Sequence, residues 1–403
     1  MAFRQTPLAV VICSTAVMVL GILPPFLVGA TTVQMRQDFA IDDRGLGLAV
    51  GVFFLAMSVN SIAAGHFAER VGPRVALISC ALVSSTSLII SAVLTPSFPV
   101  LLIWVLVGGV ACGFAVPSAS FALIRGAPGR AGLMLGVNQA APPAASMLAG
   151  VTVPAISIRF GWRWTYVMGA MVVLVVIATL PDRRVFARSA PTDADSTPPV
   201  HDPAAVAKYR RTMLVLSIGM ALGSGAALSM GAFFVSSAVD NGMSEAAAGL
   251  SLAVGSIVSI GSRIIAGLMA DRMESGQLTG VAIMLLGGAV GYLALAAMQT
   301  GPWITAAAVV GYGFGYGWSG LLFYAVSMIN PTSPARAIGV VNTGNTFGAA
   351  ITPPLFGVIA ATSSMSAAWV MAAVASAVGG LIVLIAVQLD RSVVETEELA
   401  IGR

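Results

Sequence analysis

Ser256, Ser259, Arg263 and Gly267 recur at helical i, i+3, i+4 spacing, so a helix through them carries all four on one stripe. Arg263 stands eight residues before Asp271, about 12 Å of helix rise from the polar end of an otherwise apolar segment. A guanidinium at that depth is costly to bury and needs an acceptor. No Asp, Glu or Lys lies well inside any apolar segment to neutralise it. The acceptor is then a set of polar groups, water, or an anion that comes and goes. Two readings stay open. In one, the planar fork holds the carboxylate of a bound solute; in the other, it reaches toward the membrane face or bonds helix carbonyls.

Other polar side chains are spaced to join Arg263. Asn342, Asn345 and Thr346 form a second i, i+3, i+4 stripe, and Asn138 and Gln139 occupy the corresponding place half a chain earlier. Such groups either bind solute or hold helices together. From Gly311 to Trp318 glycine alternates with Tyr312, Phe314, Tyr316 and Trp318. A helix there puts Tyr312 and Tyr316 on one face, as pocket lining or as ordinary aromatic packing. Catalytic chemistry finds no such support. The two histidines, His66 and His201, fall at a segment end and in a polar stretch, and no phosphate loop or paired cysteines occur. Cys13, Cys80 and Cys112 read as small buried hydrophobes. No enzyme activity, cofactor or metal is expected.

The elements that position these residues follow from composition. Of 403 residues 58% are hydrophobic and only 9% charged, with a mean hydropathy of +0.94, far from the quarter charged that a soluble surface needs. Apolar windows long enough to cross a hydrocarbon core recur along the chain, and in lipid they must be helices. Twelve spans are predicted: 8–30, 46–66, 75–95, 99–124, 131–157, 162–181, 212–238, 247–270, 278–298, 303–328, 337–361 and 366–389. The first is read as an uncleaved helix kinked by Pro24 and Pro25. With the N-terminus inside, fifteen of the twenty basic residues fall on the cytoplasmic side and Arg36, Arg44, Arg159 and Arg163 on the outer side; Arg263 remains. This bias places both termini in the cytoplasm. The net charge of +4 therefore reports topology, and no nucleic-acid partner is expected. Nineteen arginines against the single Lys208 agree with a GC-rich bacterium and its inner membrane.

Gly65-His-Phe-Ala-Glu69-Arg70 closes the second span and Gly267-Leu-Met-Ala-Asp271-Arg272 closes the eighth, an offset of 202 residues. Arg130, Gly136, Asn138 and Pro142–Pro143 find loose counterparts in Arg336, Gly339, Asn342 and Pro353–Pro354. Six plus six spans in one orientation are parallel repeats, whose halves rock about a central site. The all-α membrane fold divides into an N-terminal bundle (1–181), a cytoplasmic linker (182–211), a C-terminal bundle (212–389) and a polar tail (390–403) expected to hold little structure. Gly65 and Gly72 permit a tight turn. Glu69 can meet the positive end of a facing helix, a contact that closes one conformation, or simply belong to a solvated charge run.

On these residues the chain resembles the major facilitator superfamily. The family signature, approximately G-x-L-A-D-R-x-G-R-R/K, reads here Gly65-His-Phe-Ala-Glu69-Arg70-Val-Gly72-Pro73-Arg74, with a degenerate copy at Gly267–Arg272. Gly161-Trp162-Arg163-Trp164 also looks like the family's entry to its sixth helix. The resemblance implies alternating access, with gating by Gly65, Glu69, Arg70, Gly72 and Arg74 and by Gly267, Asp271 and Arg272. Arg263 before G-x-x-x-D is similar to the monocarboxylate and oxalate/formate branch. The second embedded charge of that branch is missing here: Ser259 and uncharged residues stand in its place. Motifs typical of drug antiporters are broken at Val105–Gly109 and after Gly136. The expectation is a monomeric carrier in the lipid bilayer for a small organic anion. Exchange (antiport), facilitated diffusion, or symport with a proton near the substrate fits better than a carboxylate relay. The alternative is an efflux pump for drugs or hydrophobic metabolites.

Overall fold

The computed structural model describes residues 7–126, 131–180, 203–298, 300–329 and 334–401. Among them there is no strand. Helical segments stand at all twelve predicted places, numbered here α1–α12. The first bundle holds α1 (Pro7–Gly21 and Leu23–Ala30), α2 (Asp43–Val71), α3 (Pro73–Val93), α4 (Phe98–Gly126), α5 and α6 (Trp162–Thr179). Within α5, Ala131–Gln139 and Ala141–Thr152 are followed by a wide turn, Val153–Ser157, and by Ile158–Phe160. The second bundle holds α7 (Pro203–Asp240), α8 (Glu245–Ala270), α9 (Gln277–Ala297), α10 (Gly301–Val310, Gly311–Gly315 and Ser319–Ile329), α11 (Pro334–Thr362) and α12 (Met365–Ile401). Among the described residues eight helices are each long and apolar enough to cross a membrane, or nine with the two arms of α1 taken as one span.

Local sequence explains the irregularities. The arms of α1 meet at 48°, with Pro24 and Pro25 in the first turn of the second arm, where their missing N–H groups break the hydrogen-bond ladder. Two differences from expectation concern length. Helix α7 starts at Pro203, so the last residues of the segment read as linker are helical: Pro203 suits a first turn and Ala204–Lys208 are mostly good helix formers. Helix α12 runs to Ile401, which corrects the expectation of a tail with little structure. No Gly or Pro stands between Leu381 and Ile401, and Glu-rich sequence continues a helix without cost. A short helix, Thr32–Phe39, between α1 and α2 was not anticipated.

The bundles meet along α1–α7, α2–α11 and α5–α8. At the α5–α8 seam the backbones nearly touch: a Cβ on Gly132 would lie 2.6 Å from the Gly267 carbonyl oxygen, and one on Gly136 equally close to that of Arg263. Only glycine permits that approach. The larger apolar cluster joins Phe26, Phe53 and Phe54 of the first bundle to Phe233, Phe356 and Trp369 of the second. The smaller cluster, toward the arginine-rich side, belongs to the second bundle with Leu135 as its contribution from α5. Large apolar side chains such as Val175, Ile265 and Val290 are exposed on the outside of the bundles, as a lipid-facing surface requires.

Candidate functional site

The site is built on a failure of α10 to stay helical. Four glycines within Gly311–Gly317 each weaken a helix by about 1 kcal/mol relative to alanine. Gly301–Val310 is α-helical, Gly311–Gly315 is a π-helical turn, and the α-helix resumes only at Ser319. The sequence had been read as helical throughout. The break releases carbonyls that lipid cannot satisfy, and two side chains take them: Trp318 Nε1 donates to the Gly315 oxygen at 2.8 Å, and Arg263 Nε donates to the Tyr316 oxygen, also at 2.8 Å.

Arg263 Nη2 donates to the same Tyr316 oxygen, and its guanidinium carbon sits 4.8 Å from the centre of the Tyr316 ring, within cation–π range. The carbonyl-bonding reading is thus realised, but it occupies only one edge of the fork. Among the described residues Nη1 has no hydrogen-bond acceptor and no carboxylate pairs with Arg263. Its residue lines a cavity between the bundles together with Gln139, Ser224, Ser319, Asn342 and Asn345. Asn345 Nδ2 donates to Asn342 Oδ1 at 3.2 Å. Tyr316 and Ser319 also line this space, and their hydroxyl oxygens are buried and without a partner among the described residues. The water-accessible volume is about 70 Å³, room for a few water molecules at most, so a solute enters only when the bundles part.

Of the residues singled out by sequence, the structure brings Arg263, Tyr316, Trp318, Gln139, Asn342 and Asn345 to this one cavity. It does not bring Ser259, Asn138 or Tyr312. Ser259 and Asn138 are buried off the cavity wall. Tyr312 packs edge-on against Tyr316 at 5.7 Å and places its hydroxyl 3.3 Å from Ser146 of the other bundle. Thr346 bonds Ser58 across the bundles at 3.0 Å. What sequence reasoning missed is the opposite wall, where Met18, Ile22, Phe54, Met57 and Leu228 stand; apolar residues in apolar spans carry no signal that separates cavity from lipid.

Two sets of contacts join the bundles at either end. On the arginine-rich side Asp271 accepts from the backbone amides of Gly132 at 2.8 Å and Leu133 at 3.0 Å. It thereby caps the exposed N–H groups that open α5, with its charge against the positive helix end. Gly267, beside it, makes that approach possible, while Arg272 is exposed. In the first-bundle signature Gly72 turns with φ +86°, Arg70 is exposed and Arg74 half-buried. The side chain of Glu69 and the surroundings of Gly65 lie outside the described residues. At the opposite end Gln34 Nε2 donates to Glu245 at 3.1 Å and Arg36 bridges Asp43 and, at 3.9 Å, Asp240. Asp38 accepts from Trp162 Nε1 at 2.9 Å and from Arg163; the indole N–H first, then the guanidinium, hold its carboxyl below the usual carboxylate value. The sequence reading used Arg36 only to fix orientation, and Arg163 for that and for the resemblance at Gly161–Trp164.

Helices in two like-oriented bundles, enclosing a small cavity at their interface, define a polytopic membrane transporter. The chain belongs to the Major Facilitator Superfamily, whose family profile matches residues 8–333, in agreement with the resemblance carried by the two signature loops. Among solved structures it is similar to a bacterial homolog to the human lysosomal transporter Spinster, in an inward-facing and occupied conformation: TM-score 0.67, 16% identity, 94% of this chain and 95% of that one covered. That likeness is one of fold. No curated protein matches the chain significantly.

Proposed function

We propose that this transporter moves a small organic anion by alternating access, with the free edge of the Arg263 guanidinium holding the charged group. The observation that carries the reading is a buried arginine, 3% exposed, that borders the inter-bundle cavity without a carboxylate partner among the described residues. A carboxylate there completes the fork and accepts from the Tyr316 and Ser319 hydroxyls. Asp271 at the start of α5 then serves as one inner latch, and the loop Gly65–Arg74 as its counterpart. The charge distribution supports a bacterial inner membrane with both termini cytoplasmic, and the lack of a carboxylate or histidine well inside a predicted span supports exchange or facilitated diffusion.

The apolar wall of Met18, Ile22, Phe54 and Met57 favours a second reading, export of hydrophobic compounds. Both are tested in liposomes carrying the purified protein, with labelled carboxylates, sugars, amino acids and hydrophobic cations offered for exchange. The anion reading expects carboxylates to exchange and Arg263→Gln to slow them at least tenfold, since a hydrogen bond to a charged group contributes about 1.5–3 kcal/mol. Cation exchange that survives Arg263→Gln would establish the second reading instead.

A further inference from the structure

The charged group and most of the polar groups at the wall of the central cavity come from the second bundle, which also contributes Ala227, Leu228 and Trp318, whereas the first bundle's share is almost wholly apolar. The second bundle supplies Arg263, Tyr316, Ser319 and the Asn342–Asn345 amide pair. The first bundle supplies Met18 and Ile22 from α1, Phe54 and Met57 from α2, and Cys112 from α4, with Gln139 as its one polar side chain at the wall. These apolar residues are nearly as buried as the arginine: Phe54 is 2% exposed, Met57 6% and Ile22 8%. A sugar, or an acid charged at both ends, would have to press hydroxyls or a second carboxylate against that wall unpaired, which is unfavourable. Arg263 is also the only charged side chain among the buried described residues, so a second negative charge finds no cation.

We infer that the substrate is an amphipathic monoanion, its charged head held by Arg263 of the second bundle and an unbranched or flexible apolar tail laid against the α1–α2 wall of the first. The inference rests on the anion reading and narrows it: size is set by the tail, charge number by the single arginine. Methionine, with its flexible and polarizable side chain, suits a wall that accepts tails of differing length. Because head and tail are held by different bundles, the ligand spans the interface that must open.

The test uses the full chain in lipid nanodiscs and follows the shift in melting temperature with acetate, butyrate, hexanoate and octanoate, and with succinate and adipate as dianions. The expected half-saturating concentration falls about fourfold for each added methylene, as burial of a CH₂ predicts, and adipate binds at least tenfold more weakly than hexanoate. Hexanol, equal in length but uncharged, is the comparison that needs no variant to fold, and it is expected to bind at least tenfold more weakly than hexanoate. Met57→Gln, close in volume, is expected to flatten the chain-length series. A flat series in the wild type, or adipate equal to hexanoate, overturns the amphipathic inference and leaves the anion reading standing. Hexanol equal to hexanoate overturns both, since the charge then contributes nothing. So does the absence of any shift with every acid.

Discussion

Arg263 and Asp38 show how differently a charged side chain is used within a membrane and at its edge. Arg263 is bound at one edge of its fork to a carbonyl that α10 cannot satisfy for itself, so it is at once part of the scaffold and part of the cavity wall. Asp38 lies outside the spans and accepts from Trp162 and Arg163, which lowers its carboxyl below the ordinary 3.8. A depressed acid of this kind contributes stability that is complete above its unfolded value and is lost as pH falls through the folded one. The wild type is therefore expected to melt above Asp38→Asn at pH 7, the two converging below pH 3.8. A gap that persisted or widened in acid would contradict the assignment. Arg263 was legible in the sequence because an unpaired charge in an apolar span is conspicuous. Asp38 was not, because its partners are 124 and 125 residues away and nothing in the loop signals them.

At the scale of elements, hydropathy placed a helical segment at each of the twelve predicted positions, eight or nine of them long and apolar enough to cross a membrane, because the bilayer fixes the length of a helix that crosses it. It could not locate the break in α10. The rule that lipid demands helix holds for a lipid-facing segment, and it relaxes where protein groups such as Arg263 and Trp318 take over the released carbonyls. The interface α5–α8 was partly legible: Gly136 and Gly267 belong to the repeats that marked the two halves, whereas Gly132 does not, and which backbone each would meet is a matter of packing. Asp271 binds the start of α5 from the other bundle, and replacing it with alanine removes two charge-assisted bonds, about 1.5–3 kcal/mol each. The expected consequence is a larger population open toward the arginine-rich side. It is measured with Leu135→Cys, 4% exposed at that seam, after Cys13, Cys80 and Cys112 are changed to alanine. A membrane-impermeant maleimide added from the arginine-rich side is expected to label it faster in Asp271→Ala than beside native Asp271. Equal rates would remove Asp271 from the latch.

Across the whole molecule, the proposed anion cargo on the free edge of Arg263 would give the transport cycle a dependence on voltage. A carrier loaded with a monoanion holds a neutral pair at its centre, whereas the empty carrier holds one uncompensated positive charge. Reorientation of the loaded form then moves no charge through the field, and the empty return stroke does. Its energy changes by at most about 2.3 kcal/mol per 100 mV, the value for a unit charge crossing the full membrane. One-for-one exchange never visits the empty return and is expected to proceed at the same rate with or without a potassium diffusion potential across liposomes. Net efflux must pass through it and is expected to change rate with the size and sign of that potential. Exchange as voltage-sensitive as net efflux would show that the arginine is neutralised by something other than its cargo. The membrane potential would otherwise act on this protein only when it travels unladen, and would set the direction of that journey.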